Sequence, residues 1–224
     1  MKKKILIVVA HPDDETIGCG GYIYKNIKEG NKVYCASFTN GIDARENYKK
    51  KDIKDRSLAA KKVSKILKFK WVLMENFPDN KLDIVPLIKI IKKIEVIKKK
   101  IKPDIILTHY PYDLNIDHQI ISQAVCTAFR PLKNETWSDL FFFEVASATD
   151  YNPKFHNKFD PNLFINIEKE WKKKEEALRA YGKEVSKTRT SRSIKNIKKL
   201  NQLRGIQNGL NIVEAFFYSK KIIR

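Results

Sequence analysis

Ile5-Leu6-Ile7-Val8-Val9-Ala10-His11-Pro12-Asp13-Asp14-Glu15-Thr16-Ile17-Gly18-Cys19-Gly20-Gly21 is the stretch that decides how this chain is read. Its first five residues are an unbroken apolar run. That is the pattern of a parallel strand buried on both faces rather than of a strand with one wet face. The run stops at a histidine, a proline and three consecutive acids, and a glycine-rich helix start follows. A His and two adjacent carboxylates therefore sit where a strand ends and a helix begins. In an open α/β sheet that carboxyl-end crevice is where ligands bind.

Outward from this stretch the chain repeats the same alternation. Strand one covers roughly Lys4–Ala10. The next helix, for which Thr16 is a candidate cap, runs to about Glu29 and is stopped by Gly30-Asn31. Val33–Phe38 reads as strand two, and Thr39 to Asp43 as a turn. After a polar loop, a helix over about Asp52–Lys68 carries Leu58, Val63, Ile66 and Leu67 as its sheet-facing positions. Trp71–Met74 is a short third strand. A long amphipathic helix runs from near Pro86 to about Lys100, with Ile90, Ile94 and Ile97 on one side, and Ile105–Thr108 is a fourth strand. Ile116–Phe129 is the next helix, and Leu140–Val145 a fifth strand. Beyond Ala146 the pattern loosens, with candidate strands at Phe164–Ile167 and Val213–Tyr218, the latter as a final edge strand. Helices are expected at Lys169–Tyr181 and Ile194–Asn208. The β-α-β-α-β-α-β order predicts a Rossmann-like, three-layer α/β/α fold. Its mostly parallel sheet would have the order 3-2-1-4-5 plus a C-terminal elaboration. No linker or internal repeat divides residues 1–224, so a single domain is expected.

Composition narrows the function classes. The formal net charge is +19, from 45 basic and 26 acidic residues. The basic residues are mostly lysines scattered along helices, and the chain has no helix-turn-helix, zinc-finger or RNP pattern, so solvated helix faces account for the charge better than nucleic acid does. An anionic substrate or a membrane surface is the remaining partner class. No apolar run approaches the ~20 residues of a membrane span. The basic-then-apolar N-terminus breaks into His-Pro-Asp-Asp rather than a cleavage site, so a cytoplasmic first strand is expected. Cys19, Cys35 and Cys126 are far apart and odd in number, which argues against a disulfide framework and fits a reducing compartment. Cys19, near a helix start, reads as a small buried hydrophobe. The run Phe141-Phe142-Phe143 reads equally as core strand or as the interface of a homo-oligomer.

In a 3-2-1-4-5 sheet, strands one and four are neighbours at the switch point, so His11 and Asp14 would meet residues that follow strand four. His118 is among them. His11, Asp14 and His118 make a two-His, one-carboxylate set, which suits Zn²⁺ when water fills the remaining position. Such an ion lowers the pKa of its water toward neutrality and polarises a carbonyl oxygen. Asp13 is then placed to accept the water's proton and pass it to a leaving amine, and Asp117 to orient an imidazole. Each residue alone has a plainer reading: an acidic first turn favoured by the helix dipole for Asp13 to Glu15, and a cap or a solvent-facing ring for His118.

The motif His11-Pro-Asp13-Asp14-Glu15 with Gly18-Cys-Gly20-Gly21, together with Thr108-His109-Tyr-Pro-Tyr112-Asp113-Leu-Asn115-Ile-Asp117-His118, resembles the PIG-L/LmbE-like deacetylase family. Looser similarity extends to Asn40-Gly41, Arg56, Phe77-Pro78-Asp79, Arg130-Pro131, Phe142 to Val145, Arg204-Gly205 and Glu214-Ala-Phe216. The resemblance implies a zinc-dependent hydrolase that removes an N-acetyl group from an amino sugar or its nucleotide or lipid conjugate, such as a surface-glycan precursor. His11, Asp14 and His118 would hold Zn²⁺, Asp13 would be the general base, and Arg45, Asp79, Tyr112 and Asp113 would lie where relatives contact the sugar. The departure is Asn115, where many relatives carry a His that helps stabilise the oxyanion. An amide donates a neutral hydrogen bond but supplies no proton, which leaves Asp13 as sole acid and base or calls on His109 or Tyr112. His109 has its own plainer reading, as a strand-end ring bonded to backbone. Two alternatives stay open: an amidase for another amide conjugate, and a catalytically silent sugar-binding relative.

Overall fold

The computed structural model describes residues 2–153, 157–185 and 190–223. Its centre is a seven-stranded sheet with the order β3-β2-β1-β4-β5-β7-β6. The strands are β1 (Lys4–Val9), β2 (Lys32–Thr39), β3 (Lys70–Phe77), β4 (Ile105–His109), β5 (Asp139–Phe143), β6 (Leu163–Asn166) and β7 (Val213–Lys221). The first five are parallel in the expected 3-2-1-4-5 order. The helices are α1 (Asp14–Lys28), α2 (Lys50–Leu67), α3 (Leu87–Ile101), α4 (Ile116–Ala128), α5 (Trp171–Ala180) and α6 (Ile194–Ile206).

The run at Ile5 to Ala10 is fully buried because both faces are covered. Strand side chains alternate, so Ile5, Ile7 and Val9 enter one core with residues of α1, α2 and α5. Leu6, Val8 and Ala10 enter another with α3 and α4. On α3, Ile90, Ile94 and Ile97 are buried as expected. On α2, Val63 and Leu67 are buried but Leu58 is 54% exposed. The buried stripe of α2 is Arg56, Ala60, Val63 and Leu67. Leu58 lies two residues from Arg56, about 200° around the helix and so on the opposite side. An arginine thus holds a position that the apolar pattern would give to a core residue.

The C-terminal elaboration differs from the expectation in one respect. β7 is not an edge strand: it pairs antiparallel with β5 on one side and with β6 on the other. Its residues Val213 to Phe216 are buried accordingly, and β6 is the edge.

α1 packs very close to the sheet. A Cβ on Gly18 would overlap the Phe143 ring, and one on Gly21 would lie 2.7 Å from Ile167. The helix kinks at Cys19 (φ −143°, ψ 26°), which leaves backbone groups without helical partners. They are satisfied from the elaboration: Gly21 N and Tyr22 N donate to the Glu214 carboxylate (2.8 and 2.6 Å), and the Ile17 carbonyl accepts from Lys174 Nζ (2.8 Å). Lys174 and Glu214, both fully buried, pair at 2.7 Å. Thr16 does not cap the helix: Asp13 is the N-cap residue, without a side-chain cap bond, and the Thr16 hydroxyl donates to Glu15 (2.6 Å). No helix among the described residues is long and apolar enough to cross a membrane.

Candidate metal centre

The carboxyl ends of β1 and β4 bring two distant segments together, as the strand order requires. His11 Nδ1 lies 3.1 Å from Asp14 Oδ2, His118 Nε2 lies 3.3 Å from the same oxygen, and the two nitrogens are 3.2 Å apart. The three residues come from the β1 end, the first turn of α1 and the first turn of α4, and all are buried. Tetrahedral ligands about 2.0 Å from a zinc ion stand about 3.3 Å from one another. Two imidazole nitrogens and a carboxylate oxygen in that triangle therefore fit such an ion. Asp14 Oδ1 is buried without a hydrogen-bond partner, which adds to the negative character of the site.

The outer nitrogen of each ring is fixed by carboxylates. His118 Nδ1 meets Asp113 Oδ2 at 2.8 Å. His11 Nε2 meets Asp79 Oδ1 at 3.0 Å and Asp117 Oδ2 at 3.2 Å. Carboxylates in these positions set the tautomer so that His11 Nδ1 and His118 Nε2 keep lone pairs directed into the triangle. Asp117 also accepts from Asn80 N (2.7 Å) and Leu82 N (2.9 Å), which ties the loop after β3 to α4. Burial opposes the charged form of His11, yet Asp14, Asp117 and Asp79 together hold its pKa well above the usual imidazole range. Burial likewise opposes ionised Asp14, but His118 and His11 hold it well below the usual carboxylate range. The cluster favours positive charge at its centre, which is what a cation supplies.

Asp13, fully buried, stands next to this triangle. Arg192 Nη2 and Arg56 Nη2 contact its Oδ2 at 2.7 and 2.9 Å. Its Oδ1 is buried with no partner. Burial raises the Asp13 pKa despite the opposing pull of Arg192 and Arg56. Glu15 accepts from Asp13 N (3.0 Å) and from the Tyr181 hydroxyl (2.7 Å), and burial pushes it up to about 7.

The remaining predicted residues fall in different places. Asn115 is the N-cap of α4: its side-chain oxygen accepts from Asp117 N (2.9 Å) and its amide donates to Asn80 Oδ1 (2.8 Å). It lines a pocket of about 390 Å³ with His118, Arg192, Asn80 and Ser147. Tyr112, 44% exposed, packs edge-on against Tyr110. Arg45 lies apart from the triangle, half-exposed and paired with Glu184 at 2.6 Å. Asp79 and Asp113 are both buried against imidazoles. His109 has its plainer role: its Nε2 accepts from Ala10 N (2.8 Å), and its ring stacks on His118 at 3.8 Å. His156 lies outside the described residues. No sequence pattern marks Arg192, Glu184 or Tyr181. The one local signal near them is Ser193, whose side chain caps α6 by accepting from Asn196 N and so places Arg192 just before that helix.

The PIG-L family model, described as GlcNAc-PI de-N-acetylase, matches residues 6–129, more than half of the chain. The chain belongs to the PIG-L family. That match contains all three triangle residues and Asp13, but ends before Arg192. This PIG-L chain is 28% identical over 149 residues to the probable N-acetyl-alpha-D-glucosaminyl L-malate deacetylase 2 of Bacillus cereus. The alignment covers 60% of the chain and 64% of that relative, so less than two thirds of the relative's length is spanned. Among solved structures, the N,N'-diacetylchitobiose deacetylase of Pyrococcus horikoshii superposes with a TM-score of 0.78 at 20% identity, covering 97% of this chain and 84% of that one. The 4-carboxy-2-hydroxymuconate hydratase GalB of Pseudomonas putida KT2440 superposes with a TM-score of 0.76 at 17% identity, covering 100% and 98%. At these identities the two structures establish the shared fold, not a shared reaction.

Proposed function

We propose that this PIG-L protein is a zinc-dependent hydrolase that removes the N-acetyl group from an amino sugar or its nucleotide or lipid conjugate. The observation that carries the reading is the triangle of His11 Nδ1, Asp14 Oδ2 and His118 Nε2 beside the unpartnered Oδ1 of Asp13. The name of the Bacillus cereus relative supports an N-acetylated glucosaminyl conjugate as the substrate class. The hydratase that shares the fold warns that the fold alone does not choose the reaction.

A zinc ion held by His11, Asp14 and His118 would supply Lewis-acid polarisation of the acyl oxygen and a water acidic enough to react near neutrality. The chain's own residues do the rest. Asp13 Oδ1 accepts the proton of the attacking water as the C–O bond forms. Once protonated, it returns that proton to the amide nitrogen as the C–N bond breaks, releasing acetic acid and the amine, which end as acetate and ammonium when the acid's proton passes to the amine. Asp113, Asp79 and Asp117 orient the two imidazoles through their outer nitrogens, so we assign Asp79 and Asp113 to the rings rather than to the sugar. Asn115 has a second amide N–H beyond the one on Asn80 and offers it to the developing oxyanion from the pocket wall. We place its action in the cytoplasm, in keeping with three free cysteines, two of them buried.

The test is metal stoichiometry. Purified protein should hold close to one zinc per chain by elemental analysis, and His118→Ala should lose it. Full zinc retention in that variant would remove His118 from the site.

A further inference from the structure

The two oxygens of a carboxylate are equivalent until their surroundings distinguish them, and at Asp13 the surroundings do so sharply. Oδ2 receives two guanidinium groups, Arg192 at 2.7 Å and Arg56 at 2.9 Å, while Oδ1 is buried with no partner. Charge-assisted bonds of this kind are about twice as strong as neutral ones. Turning the carboxylate about its Cβ–Cγ bond breaks both at once, so its orientation is locked.

The two arginines approach differently. Arg56 is on the buried face of α2, its side chain 4% exposed. It is held in turn by Glu184 (3.0 Å) and lies 5.5 Å above the Tyr181 ring. Arg192 stands immediately before α6, with its side chain 31% exposed. It lines the pocket that contains His118 and Asn115, and its Nη2 comes within 3.9 Å of Asp14 Oδ1. One clamp arm is therefore internal, and the other is reached from the side on which a substrate would enter.

We infer that Arg192 is a positioning residue that, with Arg56, clamps Oδ2 of Asp13 and so makes Oδ1 the oxygen that receives and returns the proton. The inference rests on the general-base reading of Asp13. Through the cycle the proton leaves water for Oδ1 as water oxygen bonds to the acyl carbon, then leaves Oδ1 for nitrogen as the C–N bond breaks. Asp13 ends as the carboxylate it began as, and neither arginine changes its proton count.

Arg192→Ala and Arg192→Lys test this. Misplacing a reacting group by an ångström costs on the order of 100-fold in rate, so the Ala variant should lose roughly that factor in kcat, with KM shifted no more than about threefold and zinc content unchanged. Because the missing side chain opens onto the pocket, added guanidinium ion at millimolar concentration should restore part of the lost kcat. The Lys variant keeps the charge but not the planar fork and should fall between. A crystal structure of Arg192→Ala should show the Asp13 carboxylate turned so that Oδ1 gains a partner. A kcat loss smaller than about threefold, a loss carried wholly by KM, or a carboxylate that stays in place overturns the inference. If the wild-type protein releases acetate from no N-acetylated amino sugar, the deacetylase reading fails on its own, and the carboxylate orientation in the variant crystal still decides whether Arg192 is a clamp.

Discussion

Lys174→Met is the perturbation that most sharply tests how the C-terminal elaboration supports the site. Lys174 is fully buried, and its ammonium donates to Ile17 O (2.8 Å), Asn201 Oδ1 (3.2 Å) and Glu214 Oε1 (2.7 Å). Methionine matches the length of the stem but removes all three bonds. Glu214 is left as a buried carboxylate with two backbone donors and no counter-charge, and the Ile17 carbonyl, already freed by the kink at Cys19, is left unsatisfied. Breaking a buried ion pair by removing one partner costs about 3–5 kcal/mol, and an orphaned buried carbonyl about 1–3 kcal/mol. The two losses fall on different groups, and their low ends together give an expected total of about 4 kcal/mol. That is a large part of the roughly 5–15 kcal/mol that stabilises a typical folded chain. At roughly 2–4 °C per kcal/mol for a chain of this size, the midpoint of thermal unfolding should fall by roughly 8–16 °C. Urea unfolding followed by tryptophan fluorescence reads the free energy directly. Combining Lys174→Met with Glu214→Gln removes both charges while keeping an oxygen for one backbone N–H, so the double variant should be more stable than the sum of the two singles predicts. A Lys174→Met loss under about 1 kcal/mol, or strict additivity in the double variant, would refute the reasoning.

Asp113→Asn should weaken zinc binding about 10–100-fold in a competition titration, because His118 Nδ1 loses its carboxylate; unchanged affinity would show that this contact does not tune the ring. Asn115→Ala should cost about 1 kcal/mol in urea unfolding through loss of the α4 cap, whereas Asn115→Asp, which keeps an acceptor for the capping bonds, should retain most of that stability. Gly18→Ala should destabilise by about 1–3 kcal/mol, since its methyl would meet the Phe143 ring and the Glu144 carbonyl; a neutral result would mean that α1 can lift off the sheet at little cost.

The inner parallel strands are legible because β1, β4 and β5 are buried on both faces, whereas β3, at the sheet edge, has no fully buried residue. Short apolar runs such as Ile5 to Val9 and Ile105 to Leu107, bounded by turn and helix-start signals, then read as buried strands. The meeting of His11 and Asp14 with His118 followed from strand order alone. β7 reads as an edge from sequence because local sequence records that Val213 to Phe216 are apolar around one acid, but not that Glu214 faces a helix kink nearly two hundred residues earlier. Leu58 was misassigned for a related reason: the α2 stripe is completed by Arg56, a charge that an apolar template skips. Loop position brings Asp79 and Asp113 to the strand ends but does not show that imidazoles stand against them. Arg192 had no periodicity or motif to mark it, since its role depends on the chain's return to Asp13 after 179 residues.

The most direct test is acetate release by zinc-loaded wild-type protein and by Asp13→Ala, measured on a panel of N-acetylated glucosamine conjugates with metal content determined in parallel. The wild type should release acetate from at least one conjugate, and Asp13→Ala should lose nearly all of that release while the zinc stays bound. Undiminished turnover by Asp13→Ala, or no acetate from any conjugate by fully zinc-loaded wild-type protein, would contradict it.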